Sequence, residues 1–241
     1  MQSAGASPDA AVAPFALSIA LFAASMSATS SSHPALRFLA LGDSYTIGEG
    51  VPEGERWPVQ LARKLRDGGV AIDDPEIVAT TGWTTDELSS AMDRASFSPP
   101  YALVTLLIGV NNQYRGRDLA NYRVEFAALL ARAIALAGER ADRVVVVSIP
   151  DWGVTGFARA QHRDAHRIAI EIDAFNATAR AIADGRGVAF VDVTAISRRD
   201  GDAQQSLVAD RLHPSGAQYA AWTDAILAAA RHALAKEGVS R

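Results

Sequence analysis

The sequence predicts an α/β protein with a five-stranded parallel sheet between two layers of helices, a three-layer α/β/α sandwich. Three observations carry that expectation. After Arg37, short apolar runs alternate with amphipathic stretches, the pattern of repeated βα units. The apolar runs are nearly continuous, as strands covered on both faces must be. Ser44, Gly82, Asn111 and the Asp210/His213 pair follow the first, second, third and fifth runs. Residues so far apart meet only if those strands are parallel and adjacent.

The first strand spans Arg37 to Leu41 and runs into Gly42-Asp43-Ser44. The glycine allows a sharp turn that leaves a hydroxyl at the carboxyl end of a buried strand. A Gly- and Glu-rich loop, Ile47 to Arg56, whose Glu49 to Arg56 run is expected to be solvated near the mouth of the site, leads to a helix with Trp57, Leu61 and Leu65 on one face and a stop at Gly68-Gly69. Glu76 to Ala79 is a short second strand. Thr84 and Glu87 beyond it have capping-box spacing, which puts Gly82 in a strand-to-helix turn. Tyr101 to Ile108 is the third strand, ending in Gly109-Val110-Asn111-Asn112, and the next helix presents Tyr122, Phe126, Leu130, Ala133 and Ala137 before Gly138.

The fourth strand is Val144 to Ile149, after which Pro150-Asp151-Trp152-Gly153 opens a long loop. A helix running to about Asp184 then buries Ile168, Ile172, Phe175, Ala179 and Ile182. Val188 to Val191 is the fifth strand, followed by an irregular polar segment, Asp192 to Asp210. Ser215 and Gln218, again at capping-box spacing, start a last helix behind His213-Pro214 that turns Trp222, Ile226 and Ala230 to the core. The crossovers of such a sheet are right-handed.

The 241 residues are expected to hold a single domain, residues 33–241, behind a distinct N-terminal segment, residues 1–32. That segment is rich in Ala and Ser, has no Lys or Arg, and centres on the apolar run Phe15 to Ala24. The run is too short for a stable membrane span but has the length of a signal-peptide core, with small residues at Ser25, Ser27 and Ala28 for cleavage. Against export stand Asp9 and the missing basic residue, and the alternative is a disordered or misassigned N-terminus. The protein is periplasmic or secreted on the first reading and cytoplasmic on the second. A net charge of −4 with dispersed basic residues gives no footing for nucleic acid, and the absence of cysteine removes disulfides, thiolate metal sites and a cysteine nucleophile.

Ser44 is the candidate nucleophile. A serine hydroxyl attacks a carbonyl only when a base takes its proton, and a histidine held by a carboxylate is suited to that near neutral pH. His213 is the candidate base, and Asp210, three residues earlier, can face the same way across one turn of chain. Oxyanion donors are available from the backbone N–H groups of Ser44 and Gly82 and from the side-chain amide of Asn111. Trp83, Tyr114, Trp152 and Phe157 are expected in loops after strand ends, where they either line an acyl or leaving-group pocket or cap the edge of the core. His162 and His166 flank Asp164 at a spacing that can chelate zinc, but Arg163 and Arg167 mark a solvated helix start, and no metal site is expected. Gly48, Gly50 and Gly54 match no nucleotide-binding loop.

Gly42-Asp43-Ser44, Gly82, Gly109-Val110-Asn111 and Asp210-Arg211-Leu212-His213-Pro214 together resemble the four sequence blocks of the SGNH (GDSL-type) hydrolases, over Arg37 to about Gly238. The resemblance implies a flavodoxin-like fold and a serine esterase or lipase. It also implies Ser44 as nucleophile, His213 as base, Asp210 as its orienting acid, and an oxyanion hole of Ser44, Gly82 and Asn111. Two positions depart from the family pattern. Tyr45 stands where the name-giving leucine would be, and Asn112 where many members carry Asp; the G-x-N register points to Asn111 as the donor. The implied substrate is a small-molecule, glycan or lipid ester of small to medium acyl length, cleaved through an acyl-enzyme with neither metal nor organic cofactor. A carbohydrate O-deacetylase, a lysophospholipase or thioesterase, and an acyltransferase would use the same site. From a different class, a non-catalytic binding module could keep the fold. Oligomeric state is left open.

Overall fold

In the computed structural model, which describes residues 34–203 and 205–235, five short strands form one parallel sheet in the order β2-β1-β3-β4-β5. The segment expected as a signal peptide or a disordered N-terminus lies outside the described residues. β1 (Phe38–Gly42) is buried along its whole length and passes into a single turn of helix, α1 (Ser44–Ile47). α2 (Trp57–Asp67) has Pro58 in its first turn, buries Trp57, Leu61 and Leu65, and ends where Gly69 takes a φ of +87°. β2 (Glu76–Ala79) precedes α3 (Thr85–Arg94), whose capping box is complete: the Thr84 N–H donates to Glu87 Oε2 at 2.9 Å.

β3 (Leu103–Leu107) is entirely buried and leads to α4 (Val110–Tyr114) and then α5 (Leu119–Leu136). β4 (Val144–Val147), four consecutive valines, is followed by α6 (Gly156–Ala160) and α7 (Ala165–Asp184). β5 (Ala189–Val191), α8 (Thr194–Asp200) and α9 (Gly216–Ala235) complete the order. α2 packs on α9 against one face of the sheet, and α3, α5 and α7 pack in a row on the other, the layering that right-handed crossovers require. Strand order 2-1-3-4-5 is the flavodoxin-like arrangement. Among the described residues, no helix is long and apolar enough to cross a membrane.

Three expected irregular stretches contain helix. Val110–Tyr114 and Gly156–Ala160 are single turns too short to show a periodic face. Thr194–Asp200, within the segment expected to be irregular, is started by one side chain distant in sequence and one beside it. Ser148 Oγ accepts the Val193 and Thr194 N–H groups, while Asp192 Oδ1 also accepts from Thr194. The third, fourth and fifth strands are also shorter than expected, although Tyr101, Ala102, Ile108, Ile149 and Val188 beside them are buried.

Register sets the site. Gly42 is level with Ala79 of β2 on one side and Leu107 of β3 on the other. The segments leaving these three strands therefore emerge side by side at the carboxyl edge, where the connection from β1 runs to β2 and that from β3 runs the opposite way to β4, leaving a crevice.

Candidate active site

Ser44 is the first residue of α1 and is 4% exposed. The turn into it has no room for a side chain at Gly42, where a Cβ would lie 2.1 Å from Thr46 Oγ1 and 2.5 Å from the Leu107 carbonyl. Asp43 caps α1, its Oδ1 accepting the Tyr45 N–H at 3.0 Å. Its other oxygen is buried without a hydrogen-bond partner, and burial pushes this carboxyl up to about 7, offset only in part by the backbone N–H groups of Tyr45 and of Asp43 itself.

Gly82 has a φ of +88°, a conformation that favours glycine, and its carbonyl accepts from Arg115 Nη2 at 2.7 Å. The next carbonyl, of Trp83, accepts from Asn111 Nδ2 at 2.9 Å. That bond uses one amide hydrogen of Asn111 and leaves the other for a ligand. Asn112 is turned away and fully buried. Its Oδ1 accepts the Thr85 N–H at 3.1 Å, and its Nδ2 donates to Thr85 Oγ1 at 2.6 Å, so it ties α4 to the start of α3.

The last segment follows β5 and α8. Asp210 Oδ1 accepts the backbone N–H groups of Leu212 and His213 at 2.8 and 3.0 Å, and Oδ2 meets His213 Nδ1 at 2.6 Å. Arg211 between them takes a φ of +58°, and its carbonyl is held by the Phe157 N–H. Burial raises the Asp210 carboxyl, but the His213 ring and the two backbone donors outweigh it and hold the group below the usual carboxylate range. With Nδ1 facing a carboxylate, the imidazole can present Nε2 as the basic nitrogen. The ring is nearly buried and packs on Tyr45, with centroids 5.5 Å apart.

Ser44, Gly82, Asn111 and His213 line one cavity of about 190 Å³. Its other walls are mainly apolar, from Tyr45, Val110, Tyr114, Trp152, Phe157 and Leu212. Ser44 and His213 share this cavity without a direct hydrogen bond, the Nδ1 contact to Asp210 being the ring's own. Of the four aromatic candidates, Tyr114, Trp152 and Phe157 line the cavity, whereas Trp83 packs half-buried against the core. The loop expectation holds for Trp83 alone: Tyr114 ends α4, Trp152 opens a 3-10 turn (Trp152–Val154), and Phe157 lies in α6. Tyr45, Val110 and Leu212 were not expected as walls; each is the immediate neighbour of a motif residue, the one signal that could have found them.

Trp152 is fixed from behind. Its Nε1 donates to Gln113 Oε1 at 2.8 Å, Gln113 Nε2 donates to Glu171 Oε2 at 2.7 Å, and Arg167 Nε donates to Glu171 Oε1 at 2.8 Å. Asp164, between the two histidines weighed as zinc ligands, caps α7 by accepting the N–H groups of His166 and Arg167. Glu49 is exposed and accepts a hydrogen bond from Thr81, a cavity residue, so the Glu-rich loop borders the mouth.

A family model described as GDSL-like lipase/acylhydrolase matches residues 40–221. Among solved structures, the chain is similar to TesA at 19% identity and a TM-score of 0.63, over 82% of this chain and 99% of that one. The lipase/acylhydrolase from Enterococcus faecalis is similar at 18% and 0.62, over 80% and 94%. The psychrotrophic esterase EstA from Pseudoalteromonas sp., in a structure inhibited by monoethylphosphonate, is similar at 15% and 0.59, over 85% and 99%. Likenesses at these identities are of fold. No curated protein matches the sequence.

Proposed function

The chain belongs to the GDSL-like lipase/acylhydrolase family, and from that premise we propose that it is a serine carboxylic ester hydrolase acting on small to medium acyl groups. The observation that carries this reading is the meeting of Ser44, Gly82, Asn111 and the Asp210-held His213 at one cavity. In the proposed cycle Ser44 Oγ bonds to the carbonyl carbon as its proton passes to His213 Nε2. The carbonyl oxygen takes the negative charge and accepts from the Ser44 and Gly82 N–H groups and the second amide hydrogen of Asn111. Collapse breaks the bond to the leaving alcohol, which takes the proton from His213. Water, deprotonated by the same ring, then releases the acid and restores the serine.

Asp210 keeps the ring in one orientation and stabilises the imidazolium formed in each half. The missing Ser44–His213 hydrogen bond is consistent with contacts that tighten only once substrate is bound. A cavity of about 190 Å³ is small beside the roughly 300–1,000 Å³ of sites for drug-sized ligands, which favours short acyl chains. The catalytic domain on this reading is residues 33–241. The test is a rate series on p-nitrophenyl esters from acetate to decanoate with wild type and Ser44→Ala. Turnover weighted to the short esters and abolished in the variant supports the proposal; equal rates in the two proteins overturn it.

A further inference from the structure

Beside the cavity, against two of its aromatic walls, lies a charged group that the proposed cycle does not use. Tyr114 and Trp152 meet edge to face, with centroids 5.2 Å apart, and Tyr114 is 40% exposed. Across both rings lies the Arg163 guanidinium, its carbon 5.3 Å from the Tyr114 centroid and 5.1 Å from that of Trp152. Arg163 is held there by the end of α6: His162 takes a φ of +52° and the Arg163 N–H donates to the Ala158 carbonyl at 3.0 Å, a left-handed helix stop. The side chain is thus stacked and positioned, yet among the described residues it makes no hydrogen bond or ion pair.

The nearby acids make no hydrogen bond to Arg163, although, behind the hydrogen bonds from Arg167 and Gln113, its charge helps hold the Glu171 carboxyl below its usual range. Both oxygens of Glu171 are taken, by Arg167 and Gln113, and Asp164 Oδ1 caps α7. Behind Tyr114 a second cavity of about 330 Å³ is lined by Arg163, Arg167 and His162 as well as by the two acids, and Tyr114 is common to both cavities. A planar guanidinium with unspent donors, in the adjoining cavity and stacked on two aromatic walls of the mainly apolar Ser44 cavity, is suited to bidentate recognition of an oxyanion.

We infer that the ester carries an anionic group, a carboxylate or a phosphate, on one of its two arms, and that Arg163 binds it beside Tyr114, the wall the two cavities share, while the ester lies against Ser44. The inference rests on the hydrolase reading above. It adds the class of substrate and a specificity-determining residue.

The experiment compares kcat/KM for matched pairs. On the leaving-group arm, p-acetoxybenzoate and p-acetoxyphenyl phosphate are set against p-tolyl acetate; on the acyl arm, mono-p-nitrophenyl glutarate is set against p-nitrophenyl pentanoate. The expected result is an anionic-to-neutral ratio of about ten on one arm, in keeping with one charge-assisted contact. That ratio should fall to near one in Arg163→Gln and be intermediate in Arg163→Lys, which keeps the charge without the planar fork. Arg186→Gln, an exposed charge removed elsewhere, should leave the ratio unchanged. Which anionic ester is preferred tells the arm, and on the leaving-group arm tells carboxylate from phosphate. A wild-type ratio at or below one in every pair, or the same ratio in Arg163→Gln, overturns the inference. If the neutral esters are still turned over in a Ser44-dependent way, the hydrolase reading survives that failure; if folded protein cleaves none of them, both fall.

Discussion

Replacing Asp43 by Asn should stabilise the protein increasingly as pH rises. The carboxyl is fully buried, one oxygen accepts the Tyr45 N–H, and the other has no partner. Burial raises its pKa from 3.8 to about 7. A folded-state pKa above the unfolded one means that the folded state holds the proton longer. The contribution to stability is fully present below pH 3.8 and is lost as pH rises through about 7. The difference of about 3 units, at about 1.4 kcal/mol each, amounts to roughly 4 kcal/mol. Asn can still accept the Tyr45 N–H but does not ionise, so this loss is absent from the variant. For a domain of this size, about 2–4 °C of Tm per kcal/mol makes the gap between Asp43→Asn and wild type widen by roughly 8–16 °C between pH 4 and pH 9. Thermal unfolding of both proteins across that range, followed by circular dichroism, reads the gap directly, and other titrating groups cancel in the difference. A gap that stays constant with pH would refute the reasoning.

Asp210 has the opposite sign. Its depressed pKa makes a stabilising contribution present above the unfolded value and lost as pH falls through the folded one. Asp210→Asn should therefore lose its disadvantage in Tm on acidification, while kcat at neutral pH drops by about 10³–10⁴; an unchanged kcat would remove Asp210 from the cycle. The two neighbouring asparagines should separate activity from stability. Asn111→Ala is expected to cut kcat by about 10²–10³, whereas Asn112→Ala, which strips the Thr85 N–H of its buried acceptor, should cost about 1–3 kcal/mol with kcat near wild type. Rate and urea titration on both variants check this, and the reverse pattern would exchange their roles. Gly109→Ala puts a Cβ 2.6 Å from the buried Tyr122 ring at a φ of +127° and should destabilise by roughly 3 kcal/mol; a Tm matching wild type would show that the ring gives way without cost.

What was legible in the sequence followed from rules that act locally. Arg37 to Leu41, Tyr101 to Ile108 and Val144 to Ile149 read as buried strands because parallel strands covered on both faces leave no polar alternation, and strands form within a few residues of those bounds. The Thr84/Glu87 box and the Gly68-Gly69 stop act within a turn of chain, and both are made as read. The Ser215/Gln218 box is only half made. The Gln218 N–H reaches Ser215 Oγ at 3.3 Å, but the Ser215 N–H is already given to the Ser206 carbonyl, and Gln218 Nε2 is left without a partner. That competition comes from a tertiary bridge between Leu207 and Pro214, which spacing does not encode.

The same limit holds at the site. Asp210 and His213 are close in sequence, and their contact lies within one turn of chain. The choice of Trp152 over Trp83 as a cavity wall depends on Gln113 of α4, which accepts from the indole, and on Glu171 of α7, which holds Gln113. The inward turn of Asn112 likewise depends on Thr85 across the crevice. Neither arrangement leaves a periodic trace in the sequence.

Ser44 is proposed above as the nucleophile of an ester hydrolase. The most direct test of that proposal is covalent trapping: the full chain is incubated with a p-nitrophenyl alkylphosphonate and the adduct is mapped by peptide mass spectrometry. One phosphonyl group is expected on Ser44, formed in step with loss of esterase activity, absent from Ser44→Ala and much slower in Asp210→Asn. Folded protein that takes up no label at Ser44, or that is labelled and inactivated at another residue, would contradict it.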